Sequence, residues 1–287
     1  MRLCRFNDNR LGVVKDDVVY DVSSVLDLLP ACRYPLPQKD LLIEALAGLK
    51  GPIAAAMATA QTVPLAAVKF LSPVANPGKI IGAPINYAAH IEESRQDAGI
   101  AHGRVITSIG DWGLFLKAGS SLIGFRDEIV LRFADRRNDH EVELGVVIGS
   151  VCHQVKAADA MQHIAGYTMA LDMTLRGKEF QCFRKSIDTY SVLGPWLVTP
   201  DEIADPNQLN LWLKVNGELR QQSNTRHLVY DIARLIEYAS SMYTLQPGDV
   251  IMTGTPAGVG PVEPGDVLQV GIEGIGEFSI RVSSSYA

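Results

Sequence analysis

Asp139-His140-Glu141-Val142-Glu143-Leu144-Gly145-Val146-Val147-Ile148-Gly149 is the stretch on which the reading of this chain turns. Val and Ile crowd it and glycine closes it, so 139–149 reads as a β-strand. Side chains on a strand alternate between faces, which puts Glu141 and Glu143 on one side and Val142 with His140 on the other. Two neighbouring carboxylates on so apolar a strand repel each other, and a shared proton, an arginine or a cation must offset the repulsion. A hard cation that takes oxygen ligands, such as Mg²⁺, suits this chemistry. An exposed edge strand with two solvated acids would show the same pair, so the rest of the chain has to decide.

The chain has 287 residues, 47% hydrophobic and 20% charged, the profile of an ordinary globular protein of one large domain or a large and a small one. A chain this long buries roughly three quarters of its unfolded surface and needs no disulfide or metal merely to fold. Net charge is −6 with no basic block, which excludes the electrostatic footprint of a nucleic-acid partner. The longest apolar run, 52–68, is Ala-rich and broken by Gln61 and Pro64, so no membrane span is expected. The opening Met-Arg-Leu-Cys-Arg-Phe lacks an apolar signal core. Cys4, Cys32, Cys152 and Cys182 are scattered, which disfavours zinc ribbons and disulfide frameworks and fits a reducing cytoplasm.

Residues 1–72 read as a small N-terminal α/β domain, a platform or dimer element. Strands are expected at 2–6, 11–15 and 18–22, a short helix before Pro30, and a helix over 38–49 that Gly51-Pro52 breaks. After a linker of Leu71-Ser72-Pro73 and Asn76-Pro77-Gly78, residues 73–287 form the larger domain. Lys79 to Ala83 is a strand. If the chain turns helical after Asn86, His90 and Glu93 share a face three residues apart. A carboxylate beside an imidazole orients its ring and favours its protonated form, as a general base requires. Residues 94–113 are polar and glycine-punctuated, a candidate mobile lid. Downstream, a strand over 165–172 ends on Asp172, 174–183 reads as helical, 207–216 alternates and turns at Asn216-Gly217 into a hairpin, and 227–241 has helical spacing. Strands and hairpins outnumber helices after residue 79, which points to an α+β, mixed β-rich domain.

The glycine run Gly254-Thr255-Pro256-Ala257-Gly258-Val259-Gly260 fails the phosphate-cradle templates, because no helix follows and prolines interrupt. It reads as a tight loop bringing backbone N–H groups close to a ligand. Nucleophile-elbow and His-Glu-x-x-His motifs are missing. What remains is two adjacent acids, a third at a strand end, a downstream Arg and Lys, and a His–Glu pair. The chain from Lys79 to Val282 resembles the fumarylacetoacetate hydrolase family. The landmarks are Asn-Tyr-x-x-His-x-x-Glu at 86–93, Phe-Leu-Lys at 115–117, Glu-Val-Glu-Leu-x-Val-Val-Ile-Gly at 141–149 and Asp-Met-Thr-x-Arg at 172–176. Lys-Ser-x-Asp-Thr with Leu-Gly-Pro-Trp at 185–196, Asn-Gly-Glu at 216–218 and Pro-Gly-Asp-Val-Ile-x-Thr-Gly-Thr-Pro-x-Gly-Val-Gly at 247–260 complete them.

The resemblance implies a large rolled mixed β-sheet with peripheral helices, commonly in a homodimer. It implies a divalent metal, Mg²⁺ with Mn²⁺ or Ca²⁺ as substitutes, held by Glu141, Glu143 and Asp172. It makes His90 and Glu93 the dyad that activates water, Lys185 a catalytic cation, and Arg176, Thr255 and Tyr87 candidate substrate contacts, with ring packing an equal role for Tyr87. The implied reaction is hydrolysis of a C–C bond in acylpyruvates or related diketo acids, in aromatic-compound catabolism. A 2-oxo acid can chelate such a cation through its carboxylate and keto oxygens. The cation and Lys185 would stabilise the enolate that leaves as His90-activated water attacks the second carbonyl.

Two departures fall where substrate side groups would be read. The 94–113 segment lacks the proline-rich approach common in relatives and carries Arg95, His102, Arg104 and Trp112, and Gly177-Lys178-Glu179 stands where Asp-x-Gln is often found. The alternative enzyme isomerises or decarboxylates 2-oxo or 2-hydroxymuconate-type acids, such as oxaloacetate or 5-carboxymethyl-2-hydroxymuconate, with the same acids and Lys185. A non-catalytic metabolite-binding protein would be favoured by a missing metal ligand, and none is missing.

Overall fold

Val142–Ile148 has no open edge. In the computed structural model, which describes residues 1–284, it is hydrogen-bonded to Ile164–Asp172 on one side and Val250–Met252 on the other. All its residues are buried, so the two glutamates are not solvated acids on a sheet rim. Twelve strands among the described residues make up this mixed sheet. Its main path runs Thr62–Pro64, Val18–Asp21, Arg10–Lys15, Arg2–Phe6, Ser191–Val198, Ile164–Asp172, Val142–Ile148, Val250–Met252, Ile80–Gly82, Phe115–Lys117. Arg2–Phe6 pairs antiparallel with Ser191–Val198, so the N-terminal hairpins continue the same sheet. A second sheet of five strands contains the Asn216-Gly217 hairpin, and a third of three strands joins Asn138–His140 to Thr174–Leu175 and Gly260–Pro261.

The period of two along the central strand divides the core. Val142, Leu144, Val146 and Ile148 pack with Leu235, Ile236 and Ala239 of the helix Ile232–Met242 and with Leu211, Leu213, Leu268 and Val270 of the five-stranded sheet. On the other face Val147, Ala170, Leu193 and Val250 pack with Ile43, Leu46, Leu49 and Ile53 of the helix Leu41–Met57. Glu143 is in phase with Val147, so one end of this face is closed by the N-terminal helix and the other carries the acids.

Four sequence expectations are corrected. The strand expected over 139–149 is interrupted at Glu141: Asn138–His140 belongs to the three-stranded sheet and Val142–Ile148 to the large one. Glu141 sits at the crossing, its carbonyl accepting from Asp172 N at 2.9 Å. The helix expected to break at Gly51-Pro52 runs Leu41–Met57 with Pro52 inside it. A proline in a helix interior costs about 3 kcal/mol, but each fully buried Leu or Ile contributes roughly 1.5–3 kcal/mol, and the stripe Ile43, Leu46, Leu49, Ile53 stays in phase across the break. Residues 174–183 are not a helix: Thr174–Leu175 is a strand, Arg176 N donates to Arg137 O at 2.8 Å, and helix returns only at Gln181–Arg184. The helix expected over 227–241 starts at Ile232, capped by Asp231, because Val229 N and Tyr230 N are drawn onto Asn86 O and Oδ1, both at 2.8 Å. The 94–113 segment is less irregular than its composition, with short helices at Ala98–Ala101 and Ile109–Trp112. No helix among the described residues is long and apolar enough to cross a membrane.

Candidate active site

The sheet itself assembles the acids. Asp172 ends its strand opposite Glu141, and Glu143 lies two residues further along the same face, opposite Ala170. Cross-strand neighbours are close enough for their side chains to meet. One carboxylate oxygen from each of Glu141, Glu143 and Asp172 lies within 4.8 Å of the others, and all three residues are buried. Gly254 N donates to Glu143 Oε2 at 2.6 Å, which fixes that carboxylate from the neighbouring strand's end.

Cations surround two of these acids and not the third. Lys185 Nζ donates to Glu141 Oε2 at 2.8 Å, Asp172 Oδ2 at 2.6 Å and Thr174 Oγ1 at 2.6 Å. Arg176 donates from Nη2 to Glu141 Oε1 at 2.8 Å and from Nε to Asp139 Oδ2 at 2.7 Å. Lys117, fully buried, donates to Asp172 and to Tyr190 O. Burial would push the Glu141 carboxyl up, but the Lys185 and Arg176 charges outweigh it and hold it below the usual carboxylate range. Glu143 goes the other way: burial, then the charges of Asp172 and Glu141, push it well above that range. A buried acid forced up by two like charges, in an all-oxygen donor set, is a chemical fit to a hard divalent cation.

Beside the acids, the helix Ala88–Gln96 presents His90 and Glu93 one turn apart. His90 Nδ1 and Glu93 Oε2 are 2.7 Å apart, and Glu93 Oε1 accepts from Gly258 N at 2.8 Å. The glycine loop therefore gives its N–H groups to two site carboxylates, Glu143 and Glu93. The turn that leads into this helix is itself anchored: Asn86 Nδ2 donates to Tyr230 O and Thr253 O at 2.9 and 2.8 Å. One cavity is lined by His90, the three acids, Arg176, Lys185 and Thr255, with Arg104, Ile106 and Trp112 from the 94–113 segment.

Thr255 lines that cavity, but its hydroxyl donates to Val142 O at 2.9 Å and accepts from Gln221 Nε2 at 2.7 Å. Tyr87 is buried outside the cavity lining, its hydroxyl without a hydrogen-bond partner among the described residues. His140 turns away, as the strand alternation requires, with Nδ1 3.0 Å from Gln221 Oε1. Sequence reasoning did not assign Lys117, Asp139 or Arg184. Phe-Leu-Lys at 115–117 was visible as a landmark without a role, and Asp139 stood beside the acids in the opening stretch. No local pattern marked Arg184, which enters the cavity lining from the end of the short helix Gln181–Arg184.

Residues 79–283 match the family model described as fumarylacetoacetate (FAA) hydrolase C-terminal. The chain is 51% identical over 286 residues to a maleylpyruvate hydrolase of Aquipseudomonas alcaligenes, covering 99% of this chain and 100% of that one. It is 36% identical over 300 residues to a 2,4-didehydro-3-deoxy-L-rhamnonate hydrolase of Sphingomonas sp. (strain SKA58), covering 99% and 96%. Among solved structures it is similar to a maleylpyruvate hydrolase from Sphingobium sp. SYK-6 in complex with manganese(II) ion and pyruvate. The TM-score is 0.83, identity 40% and coverage 99% of each chain. With these matches spanning the strands, acids and loop just described, the chain belongs to the fumarylacetoacetate hydrolase family.

Proposed function

We propose that this protein is a divalent-metal-dependent hydrolase that cleaves a C–C bond in acylpyruvates, in the catabolism of aromatic compounds. The observation that carries the reading is the meeting, in one cavity, of three buried carboxylates within 4.8 Å of one another and His90, whose Nδ1 is paired with Glu93. Its setting supports it: the relative at 51% identity is a maleylpyruvate hydrolase. Glu141, Glu143 and Asp172 would hold the ion, Mg²⁺ by preference and Mn²⁺ as a substitute. When bound, such an ion supplies Lewis acidity toward the oxygens of a 2-oxo acid.

The chain's own residues do the rest. Glu93 occupies His90 Nδ1 and fixes the ring, which leaves Nε2 to take a proton from water. The water oxygen adds to the acyl carbonyl carbon. The bond from that carbon to the pyruvate methylene breaks, and its electron pair passes toward the 2-oxo group. Lys185, already between two site acids, supplies positive charge where that negative charge develops. The proton held at Nε2 then goes to the methylene carbon, giving pyruvate and the carboxylic acid of the acyl group. Arg176, tied to Asp139 and Glu141, fixes Glu141 from behind. We place the enzyme in the cytoplasm as a homodimer. Unpaired thiols at Cys4, Cys32, Cys152 and Cys182 support a reducing compartment, and the dimer rests on the family resemblance.

The test is to strip the purified protein with EDTA, restore Mg²⁺ or Mn²⁺, and follow pyruvate release from maleylpyruvate and acetylpyruvate. Metal-dependent release that disappears in His90→Ala supports the reading. Isomerised or decarboxylated product, or no pyruvate with either ion, refutes it.

A further inference from the structure

Arg184 is 5% exposed and lines the cavity, yet its Nε has no hydrogen-bond partner among the described residues. The one bond its guanidinium makes among those described is a 3.5 Å contact from Nη1 to Leu175 O, at the outer limit of a hydrogen bond. The Arg176 guanidinium, buried to a similar degree, is by contrast taken up by Asp139 and Glu141. Glu141 and Asp172 attract Arg184 only from a distance, and both are already bonded to Lys185. Burial, then the Arg176 charge, pull Arg184 down to about 10, so it remains a cation at neutral pH in a place that disfavours one.

Arg104 reaches the same cavity from the 94–113 segment. It is pinned by one nitrogen, Nη2, which donates to Lys178 O and Glu179 O at 2.7 and 2.9 Å, and its guanidinium lies over the Phe180 ring at 6.0 Å. Arg104 is near enough that its charge disfavours the Arg184 cation. Ile100 and Ile106 line the same cavity as apolar surface. A buried guanidinium short of partners, faced by a second one, is the receptor for a planar anion such as a carboxylate.

We infer that Arg184, with Arg104, seats a second carboxylate at the end of the substrate away from its 2-oxo acid, so that the preferred acylpyruvates carry an acyl chain ending in a carboxylate. The inference rests on the reaction proposed above, and it adds the substrate class and the residues that select it. Arg184 and Arg104 are specificity residues here, and the bond-breaking steps do not use them.

The experiment measures kcat/KM for maleylpyruvate, whose acyl chain ends in a carboxylate, and for acetylpyruvate, whose chain does not. The wild-type ratio favours maleylpyruvate. In Arg184→Met the ratio falls by about thirtyfold or more, mainly through KM for maleylpyruvate. In Arg184→Lys part of it returns, and in Arg104→Met it falls by about tenfold. A ratio unchanged in both methionine variants, even if both substrates suffer, overturns the inference and leaves the reaction standing. Should Arg184→Met fail to fold, Arg104→Met and the wild-type protein carry the test. Maleate should then quench the fluorescence of Trp112, which lines the cavity, at a concentration about tenfold lower than crotonate does. Equal binding of the two overturns the seat. The same titration decides the seat if neither acylpyruvate is hydrolysed, an outcome that refutes the reaction itself.

Discussion

Lys117 is the residue whose removal should be felt most beyond the reacting groups. Its ammonium is fully buried against Asp172 and Tyr190 O. Burial pulls it below its usual range, and the Asp172 charge works against that pull. Lys117→Met would leave Asp172 and Glu143 with less compensation in a site water does not screen. Breaking a buried pair from one side costs about 3–5 kcal/mol. We expect about 3 kcal/mol lost in urea denaturation followed in EDTA; a loss within experimental error would show that Lys185 alone balances the cluster. The thiols offer a second prediction. Burial pushes Cys4 up to about 12 and Cys152 up to about 11, whereas Cys32 and Cys182 are exposed. A raised thiol stays protonated at pH 8 and is a poor nucleophile. Ellman's reagent should therefore titrate Cys32 and Cys182 in the native protein at pH 8 and all the thiols in denaturant. Rapid reaction of more than these in the native state would contradict the packing around Cys4. Local spacing paired Glu141 with Glu143, two apart along an extended stretch, and His90 with Glu93, three apart on a helix, whereas Asp172 and the roles of all five came from the family resemblance. Lys117 and Arg184 could not be read this way, since Lys117 takes its environment from Asp172 on another strand of the large sheet and Arg184 from Arg176 just after the strand Thr174–Leu175.

At the scale of elements, the loop 254–260 shows what spacing could and could not convey. Its glycines announced a tight turn at a strand end, and the turn is there after Val250–Met252. What the N–H groups reach depends on a helix more than 150 residues earlier in the chain: Gly258 N holds Glu93, at a separation of 165 residues. Gly258 has φ +97°, and a Cβ placed there would meet Arg220 O at 2.0 Å. Only glycine fits that conformation without strain. Gly258→Ala must shift the loop off the five-stranded sheet, release Glu93 and loosen the His90 ring. Misplacing a catalytic group by about 1 Å can cost on the order of a hundredfold in rate. We expect kcat to fall about tenfold to a hundredfold with KM little changed, read from steady-state kinetics; an unchanged kcat would mean that Glu93 needs no support from the loop. The misread helix at 174–183 has the same origin. Its residues carry no signal that Arg176 N must pair with Arg137 O, because that bond exists only once Asn138–His140 lies alongside.

Across the whole molecule, the family landmarks could be read because they recur in order along the chain, one per element. Their convergence could not, because it depends on sheet order: Ile164–Asp172 beside Val142–Ile148, and Val250–Met252 on its other side. That order brings like charges together in the interior, and folding must tolerate it. Lys185, Lys117 and Arg176 answer for Glu141 and Asp172, while Glu143 is held by the Gly254 N–H and pushed well above its usual range. The core on both sheet faces is extensive enough to fold without an ion, so the EDTA-treated protein should keep its far-UV circular dichroism. A cation that binds only the folded chain then adds about 2.7 kcal/mol at a hundredfold excess over Kd, which for a protein of this size raises Tm by roughly 5 °C. Glu143→Gln separates the two effects. It removes a ligand and a like charge together, so the Tm in EDTA should be equal to or above that of the wild type, and the rise on adding Mg²⁺ or Mn²⁺ should vanish. Calorimetric scans of both proteins, with and without ion, check this. A wild-type Tm indifferent to both ions would refute the metal centre, and a Glu143→Gln protein that still responds would move the ion elsewhere in the cavity.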